Sequence, residues 1–419
     1  MSAAGPEAVV ARDAVQRAAE FVAARSAAVL VVSDLNTRGA VGERVVDALG
    51  RIGVEAGEHV FDVRSGLHAG IAEAEAVRSE AVAIGRPLLI AAGSGVITDI
   101  VRYAAERAEL EFVSVPSAAS MDGYASSVAA MQIDGVKVTT PARGPAAIFA
   151  DPRVAAAAPA ELTRAGIGDL LAKATARVDW LAAHLMYGEP FSPEAAALVD
   201  RPLAFAASNV GAILAGGEDA AAELLRGLIQ SGIAIARNGN SRPASGCEHH
   251  ASHFWDLLAA HGRREYASHG LQVGYATRFA MRLQRFAFGG AVAELVSPVA
   301  VADPLDADAV GWLGEPTAEI VAAVAEKQRF CASLGRWPRD PAAWDAVRGQ
   351  LAPALALFDG VQRALDEAGI PDGPGYLGID ARTLEATFRY ASRLRARYTV
   401  IDFLEGQRML DRALEAALC

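Results

Sequence analysis

The sequence predicts an α/β domain built on a parallel sheet, followed by an all-helical domain. Residues 27–151 alternate short apolar runs with stretches of helical periodicity, which is the pattern of a parallel sheet with helices on both faces. From about residue 155 the β-branched runs give way to Ala- and Leu-rich amphipathic stretches. We therefore predict a sheet domain at residues 1–155 and a helical domain at residues 156–419.

The predicted strands of the sheet are short and rich in Val, Ile, Leu and Ala, as expected for strands covered on both faces. They lie at residues 27–34, 57–63, 87–94, 111–117 and 146–151. Helical spacing of apolar residues predicts helices at 38–52, 65–85 and 96–108. Residues 128–140 differ, because two β-rich runs flank Asp134-Gly135, a typical hairpin turn.

Composition and charge narrow the class of protein. Hydrophobic residues make up 52% of the 419 residues and charged residues 21%, as in folded globular proteins. The net charge of -11 argues against a nucleic-acid partner, which needs a basic face. We find neither a transmembrane run nor the basic and apolar pattern of a signal peptide, and three scattered cysteines suggest reduced thiols. We expect a cytoplasmic protein that binds a small molecule and no membrane.

A glycine-rich loop follows the predicted strand at 87–94. Gly93, Ser94 and Gly95 stand before a predicted helix, where glycines let the backbone approach a pyrophosphate and the helix N-terminus offers N–H groups. A tight strand-to-helix turn would use the same residues, so both interpretations stay open. Asp34 ends an earlier strand, where an acid binds an adenosine ribose or caps the next helix.

Histidines are concentrated in one part of the helical domain, with five of the eight between residues 249 and 269. His249 and His253 are four residues apart and share a helical face, whereas His250 points about 100° away. An Asp with two His and an open fourth position is the ligand set of a catalytic zinc ion. The alternative is that these histidines are ordinary surface or core residues of helices.

Several longer motifs occur together and in order between about residues 28 and 280. They read GSGVITDIVRYAA, FVSVPSAASMDGYASS, GIGDLLAK, SRPASGCEHHASHFWD and HGLQVG. Their combination resembles the sn-glycerol-1-phosphate dehydrogenase family, which is grouped with iron- or zinc-type alcohol dehydrogenases, glycerol dehydrogenase and 3-dehydroquinate synthase. Residues 281–419 contain no motif that we can assign.

The resemblance implies a nucleotide-binding N-terminal domain and an active site in the cleft between the two domains. It implies NAD or NADP as the cofactor and a metal ion held by Asp169, His249 and His269. It implies that Asp122 binds a substrate hydroxyl. We take His253 as the candidate for proton exchange, with a helix residue hydrogen-bonded beside the metal ligands as the alternative. The candidate cofactor-binding residues are Asp34, Gly93, Ser94, Gly95, Asp99, Ser117 and Lys137.

Two departures from the family pattern are informative. Lys173 occupies the position, four residues after Asp169, where iron-type enzymes have a histidine ligand. Three ligands favour Zn²⁺, with Ni²⁺ and Fe²⁺ as alternatives. Cys247 stands where we expect Ser or Ala, either as a small buried residue or as an additional soft ligand.

The implied reaction is reversible hydride transfer between a nicotinamide and a secondary alcohol, interconverting dihydroxyacetone phosphate and sn-glycerol 1-phosphate. A phosphorylated substrate requires basic side chains, for which the candidates are Lys137, Lys173 and Arg242. The alternatives are a paralogue acting on another polyol or keto-sugar, a sugar-phosphate cyclase of the dehydroquinate synthase type, and a binding protein without turnover. The Ala-rich helices offer an interface for a homo-oligomer.

Overall fold

The computed structural model describes residues 6–64, 66–133, 136–290, 298, 303–333, 337–338 and 340–418. It divides into two compact units, of which the first comprises Met1–Leu170 and Ala197–Ser241 and the second Leu171–Ala196 and Arg242–Cys419. The predicted sheet domain at 1–155 lies within the first unit. The domain boundary at residue 155 stays a prediction.

The first unit contains a parallel sheet and a hairpin. The strands are β1 (Glu7–Val10), β2 (Val29–Asp34), β3 (Ala56–Phe61), β4 (Leu88–Gly93), β5 (Phe112–Pro116), β6 (Val128–Ile133), β7 (Val136–Pro141) and β8 (Ala147–Ala150). The helices between them are α1 (Ala14–Ala23), α2 (Leu35–Thr37), α3 (Glu43–Arg51), α4 (Ile71–Ala83) and α5 (Gly95–Ala108). Six strands pair in parallel in the order β1-β8-β5-β4-β2-β3, which confirms the predicted α/β class.

Helices cover both faces of this sheet. Because successive residues of a strand point to opposite faces, β2 places Val31 in a core with α1 and α3, and Val32 in a second core with α4 and α5. The interiors of β2, β4, β5 and β8 are mostly apolar, as the sequence predicted. The edge strand β3 differs, because it carries Glu58 and His59, which pair with Arg38 and Glu80. Strand β1 and helix α1 are additions for which we made no prediction; β1 has only four residues and lies at the sheet edge, so its sequence shows no clear periodicity.

The hairpin lies outside the parallel order. Strands β6 and β7 pair antiparallel, with Gln132 opposite Lys137. The predicted turn residues Asp134 and Gly135 lie outside the described residues, as does the side chain of Lys137. The backbone of Gln132 also donates to the carbonyl of Ala69 at 2.8 Å, which joins the hairpin to the segment before α4.

After the sheet the described chain is helical, as predicted. The helices are α6 (Pro152–Ala156), α7 (Ala160–Leu171), α8 (Lys173–Tyr187), α9 (Pro193–Ala197), α10 (Asp200–Ser208), α11 (Val210–Leu214), α12 (Glu218–Asn238), α13 (Cys247–Ala260), α14 (His269–Gln284), α15 (Ala307–Leu313), α16 (Ala318–Ala332), α17 (Pro341–Leu355), α18 (Phe358–Glu367), α19 (Ala381–Tyr390), α20 (Val400–Gly406) and α21 (Leu410–Leu418). Among the described residues, no helix has both the length and the apolar character needed to cross a membrane.

A buried carboxylate connects the helices of the second unit. Asp179 on α8 accepts hydrogen bonds from the backbone N–H groups of Cys247 and Val400, at 2.8 and 2.9 Å. It also accepts one from the amide of Gln284 at 2.8 Å. Burial and then the charge of Glu248 raise the pKa of Asp179 to about 7, although the three donors oppose this. Asp179 thereby fixes the starts of α13 and α20 and the end of α14 around α8.

We predict that Gly166→Ala destabilises the protein by about 1–3 kcal/mol, because overpacking a close contact forces the backbone apart. A Cβ atom at Gly166 on α7 would lie 1.9 Å from the carbonyl oxygen of Ala119. Thermal melting followed by circular dichroism measures the effect. The matched control is Gly349→Ala, an exposed position in α17 with nothing within 4 Å of the added atom. Equal melting temperatures for the two variants would contradict this packing argument.

Candidate active site

The glycine loop links β4 directly to α5. Ser94 is the N-cap residue of α5, with an extended backbone, and its carbonyl accepts from the backbone and hydroxyl of Thr98. A Cβ at Gly93 would lie 2.6 Å from the Cβ of Ile97, and one at Gly95 would lie 3.3 Å from the side chain of Met121. Local packing therefore requires glycine at 93, whereas at 95 a Cβ atom would need only a small movement of the Met121 side chain. The loop ends in the N-terminal amides of a 14-residue helix, the arrangement that suits a pyrophosphate.

Asp34 and Ser117 lie at the carboxyl ends of strands of the same sheet. Asp34 caps α2, because its Oδ1 accepts from the N–H groups of Asn36 and Thr37 at 2.8 Å each. The structure thus shows the helix cap that the sequence offered as one interpretation. Ser117 follows β5, and its N–H donates to the carbonyl of Gly93 at 3.2 Å. The sheet therefore brings Ser117 against the glycine loop.

Asp99 acts on a buried arginine that sequence reasoning missed. Its Oδ1 accepts from Nη1 of Arg102 at 2.6 Å on the next turn of α5. Arg102 is completely buried and donates to the carbonyls of Gly123, Tyr124 and Val128. Burial lowers the pKa of Arg102 below its usual value, and Asp99 opposes that shift. This network holds the segment that follows Asp122 against α5.

Asp122 and Asp169 lie together in the first unit. The N–H of Asp122 donates to Oδ2 of Asp169 at 2.9 Å, and Asp169 is completely buried. The hydroxyl of Ser231 on α12 donates to Oδ2 of Asp122 at 2.8 Å. The neighbouring Gly232 permits this approach, because a Cβ there would lie 2.5 Å from the carbonyl oxygen of Asp122. The Ser-Gly pair in a helix was the sequence signal for this contact.

His249 and His269 form a pair in the second unit. Their ring centroids are 5.3 Å apart, with the rings inclined at 63°. Nδ1 of His249 lies 2.9 Å from Oε1 of Glu248, and Nδ1 of His269 lies 2.9 Å from the hydroxyl of Ser252. Partners of this kind set the tautomer of a metal-binding histidine and present Nε2 to the metal. Two imidazoles held in this way are donors that a divalent metal ion can use.

Glu248, which contacts Nδ1 of His249, is a residue that the sequence analysis did not single out. It is completely buried and also accepts from the hydroxyl of Thr175 at 2.9 Å and from the N–H of Gly246 at 2.6 Å. Burial raises the pKa of Glu248, but the hydrogen bond and charge of His249 outweigh it, so the pKa lies below its ordinary value. An ionised carboxylate thus orients His249. Its position directly before the histidines was the available signal.

His250 and His253 occupy different surroundings. His250 is completely buried, and neither ring nitrogen has a hydrogen-bond partner among the described residues. Burial and then nearby cations hold its pKa well below the ordinary value, so its ring is neutral. The pairing of His249 with His269 favours His249 over His250 as the ligand. His253, one turn after His249 on α13, also lies beside His269, with ring centroids 6.1 Å apart.

Cys247 and Lys173 are both buried in the second unit. Burial and then Asp179 raise the pKa of the Cys247 thiol well above its ordinary value, which favours a small buried residue over a thiolate ligand. The side chain of Lys173 donates to the carbonyl of Ala244 at 3.2 Å. It therefore supports the segment that leads into α13.

We predict that Glu248→Gln lowers the affinity for Zn²⁺ by about 10–100-fold, because the residue that orients His249 loses its charge. Competition with a chromogenic chelator measures the affinity, and circular dichroism checks folding. Glu367→Gln, an exposed position at the end of α18, is the matched control and should leave the affinity unchanged. A folded Glu248→Gln protein with the wild-type Zn²⁺ affinity would contradict the orienting role.

Comparison with known proteins places these features in a family. Residues 9–159 match the family model described as iron-containing alcohol dehydrogenase. A glycerol-1-phosphate dehydrogenase [NAD(P)+] of Geobacillus stearothermophilus is 33% identical over 318 residues, which are 76% of this chain and 71% of that protein. One from Geobacillus thermodenitrificans is 31% identical over 323 residues, covering 77% of this chain and 72% of that protein.

A solved structure agrees on the fold. A probable glycerol dehydrogenase from Sinorhizobium meliloti 1021 superimposes with a TM-score of 0.65 at 19% identity, covering 99% of this chain and 97% of the other. At that identity the likeness concerns the fold alone. The relatives confirm the resemblance that the motifs predicted, and the chain belongs to the glycerol-1-phosphate dehydrogenase family.

Proposed function

We propose that this protein is a metal-dependent, NAD(P)-linked dehydrogenase that interconverts dihydroxyacetone phosphate and sn-glycerol 1-phosphate. The observation that carries the proposal is the His249 and His269 pair, each ring held through Nδ1 by a buried or partly buried partner. In a chain of this family, such a pair is a metal-binding element. The named relatives act on glycerol 1-phosphate with NAD(P)+.

The metal ligands in this proposal are Asp169, His249 and His269. Imidazole and carboxylate donors suit Zn²⁺, and we favour it over Fe²⁺ because Lys173 stands at the position of the fourth, histidine ligand of iron-type enzymes. The contact of Lys173 with the carbonyl of Ala244 gives that side chain a structural role. A bound ion would supply Lewis-acid polarisation of the substrate oxygen.

The cofactor in this proposal binds at the carboxyl edge of the sheet. The amides of Gly93, Ser94 and Gly95 would hold the pyrophosphate, and Ser117 adjoins them through its bond to Gly93. Asp34 would face the adenosine ribose, where an acid disfavours the 2′-phosphate of NADP. Asp99 and Lys137 complete the proposed set, and the contact of Asp99 with Arg102 makes its role one of positioning.

Substrate orientation and proton exchange fall to Asp122 and His253. The hydrogen bond from Ser231 fixes the rotamer of Asp122, which then holds a hydroxyl beside the reacting carbon. His253 stands beside His269 and would exchange the alcohol proton with solvent. Both groups therefore act on oxygen atoms of the substrate, whereas the hydride is transferred at a carbon atom.

We expect zinc-loaded protein to oxidise NADH with dihydroxyacetone phosphate at a kcat in the range of about 1–1000 s⁻¹ that is typical of enzymes. Unphosphorylated dihydroxyacetone should be a much poorer substrate. Absorbance of NADH follows the reaction, and removal of the metal with a chelator should abolish it until Zn²⁺ is restored. If the protein turns over another polyol or keto-sugar but not dihydroxyacetone phosphate, the chain is a paralogue that acts on that other substrate. Product formation without net change in NADH would indicate a cyclase.

We predict that Asp122→Asn lowers kcat/KM for dihydroxyacetone phosphate by about 100-fold, because a misplaced substrate hydroxyl costs on that order. Steady-state kinetics with NADH measure the change. Asp219→Asn, an exposed position on α12, is the matched control and should retain wild-type kinetics. If the Asp122→Asn protein keeps the wild-type kcat/KM, Asp122 does not bind the substrate.

A further inference from the structure

The carboxyl ends of three neighbouring strands form one row across the sheet of the first unit. Asp34 of β2 lies opposite Phe61 of β3, and Val32 of β2 lies opposite Ala91 of β4. Continuing the second register by two residues brings Asp34 level with Gly93. Because neighbouring strands are about 4.8 Å apart, the end of β3 lies roughly 10 Å from the glycine loop. A pyrophosphate at Gly93 would therefore place the adenosine ribose beside Asp34 and near the end of β3.

Asp34 has one carboxylate oxygen that can accept from this ribose. Its Oδ1 accepts from the N–H groups of Asn36 and Thr37, whereas Oδ2 has no hydrogen-bond partner among the described residues. A neutral ribose hydroxyl can donate to Oδ2, but the carboxylate would repel the 2′-phosphate of NADP. Binding of NADP at this position therefore requires a cation close to Asp34.

Arg64 is a cation held at this end of the sheet. It follows the last residue of β3 by three positions, and its carbonyl accepts from Nδ2 of Asn36 at 2.7 Å. Its Nη1 donates to Oδ1 of the same Asn36 at 3.4 Å. The backbone of Asn36 is in turn bonded to the carboxylate of Asp34. These contacts hold an exposed guanidinium group beside the turn that follows Asp34.

The other arginine of this region, Arg38, is already neutralised. It pairs with Glu43 at 2.6 Å and with Glu58 at 3.0 Å. Arg64, by contrast, has no carboxylate at ion-pair distance within the part of the chain that the structure describes. A guanidinium group without an acidic partner keeps most of its donors for an anion, and it can bind a phosphate through two parallel hydrogen bonds. Arg64 therefore has the charge and the donors that a 2′-phosphate requires.

We propose that Arg64 binds the 2′-phosphate of NADP and so allows the chain to use both NADP and NAD, with Asn36 as its positioning residue. The inference rests on the proposed function and specifies its cofactor. With NAD, Oδ2 of Asp34 accepts from the ribose hydroxyl and Arg64 stays in solvent. With NADP, the guanidinium group neutralises the phosphate that Asp34 would otherwise repel.

The test measures cofactor binding by calorimetry, with zinc-loaded full-length protein and no substrate, for the wild type and Arg64→Gln. We expect the Kd for NADPH to rise by about tenfold in the variant, a modest loss for charge-assisted hydrogen bonds because the site is exposed. The Kd for NADH should stay within about twofold. Arg64→Lys should recover part of the loss, since it keeps the charge but not the fork. Arg51→Gln, an exposed position at the end of α3, is the matched control.

Two fragments of the cofactor isolate the contribution of the phosphate. Adenosine 2′,5′-bisphosphate and adenosine 5′-monophosphate differ only in the 2′-phosphate, so Arg64→Gln should weaken binding of the bisphosphate alone. The difference between wild type and variant should shrink as salt rises from about 0.01 M to about 1 M, because an exposed charge pair is screened. A merely structural role of Arg64 would weaken both fragments at every salt concentration and would contradict the proposal.

Unaltered binding of NADPH and of the bisphosphate by a folded Arg64→Gln protein would overturn the inference and leave the proposed function intact. A wild-type protein that binds NADH but not NADPH would do the same. An equal loss for both cofactors would assign Arg64 to the adenosine that they share, and would also overturn it. If the wild type binds both cofactors but reduces no dihydroxyacetone phosphate, the proposed substrate fails, and the comparison of the two cofactors still decides the role of Arg64. Binding of neither cofactor would overturn both proposals.

Discussion

The buried carboxylate of Glu248 sets the conditions under which the second unit can form its site. A charge away from water is costly unless hydrogen bonds satisfy it, and Glu248 has three donors in Thr175, Gly246 and His249. These donors come from α8, from the residue before α13, and from α13 itself. Helix α13 must therefore begin where it does, against α8, for the charge to be accommodated. The orientation of His249 follows from the same contacts.

Asp179 is a second buried carboxylate, and it lies close to Glu248. Burial and then the charge of Glu248 raise the pKa of Asp179 to about 7, whereas the pKa of Glu248 lies below its ordinary value. The two neighbouring acids therefore differ in how readily they give up a proton. Asp179 uses its oxygens to hold backbone and amide groups, and Glu248 uses its charge to orient a ring. Both side chains are carboxylic acids, and their different surroundings give them different roles.

The first unit supports the segment between β5 and β6, which contains only a short 3-10 helix at Gly123–Ala125. The segment around Asp122 takes its hydrogen bonds from Arg102 and Ser231, and it presents its own N–H to Asp169. Gly166 and Gly232 let two helices reach the backbone of this segment and of the residues just before it. Backbone groups that lack strand or helix partners need donors and acceptors of this kind when they are buried. The geometry of Asp122 and Asp169 is a consequence of that support.

The sequence by itself determined the features that local patterns encode. Apolar runs specified the sheet strands other than β1, and the glycines marked the turn from β4 to α5. Four-residue spacing placed His249 and His253 on one helical face. Tertiary structure decided what those residues contact. Thr175 and Glu248 are 73 residues apart, and Asp179 and Val400 are 221 apart. The segment that carries Arg395 has no recognisable motif, yet Nη2 of Arg395 lies 3.4 Å from Nε2 of His253, 142 residues away in the chain. Hydrogen bonding and charge depend on distance in space, which periodicity along the chain does not specify.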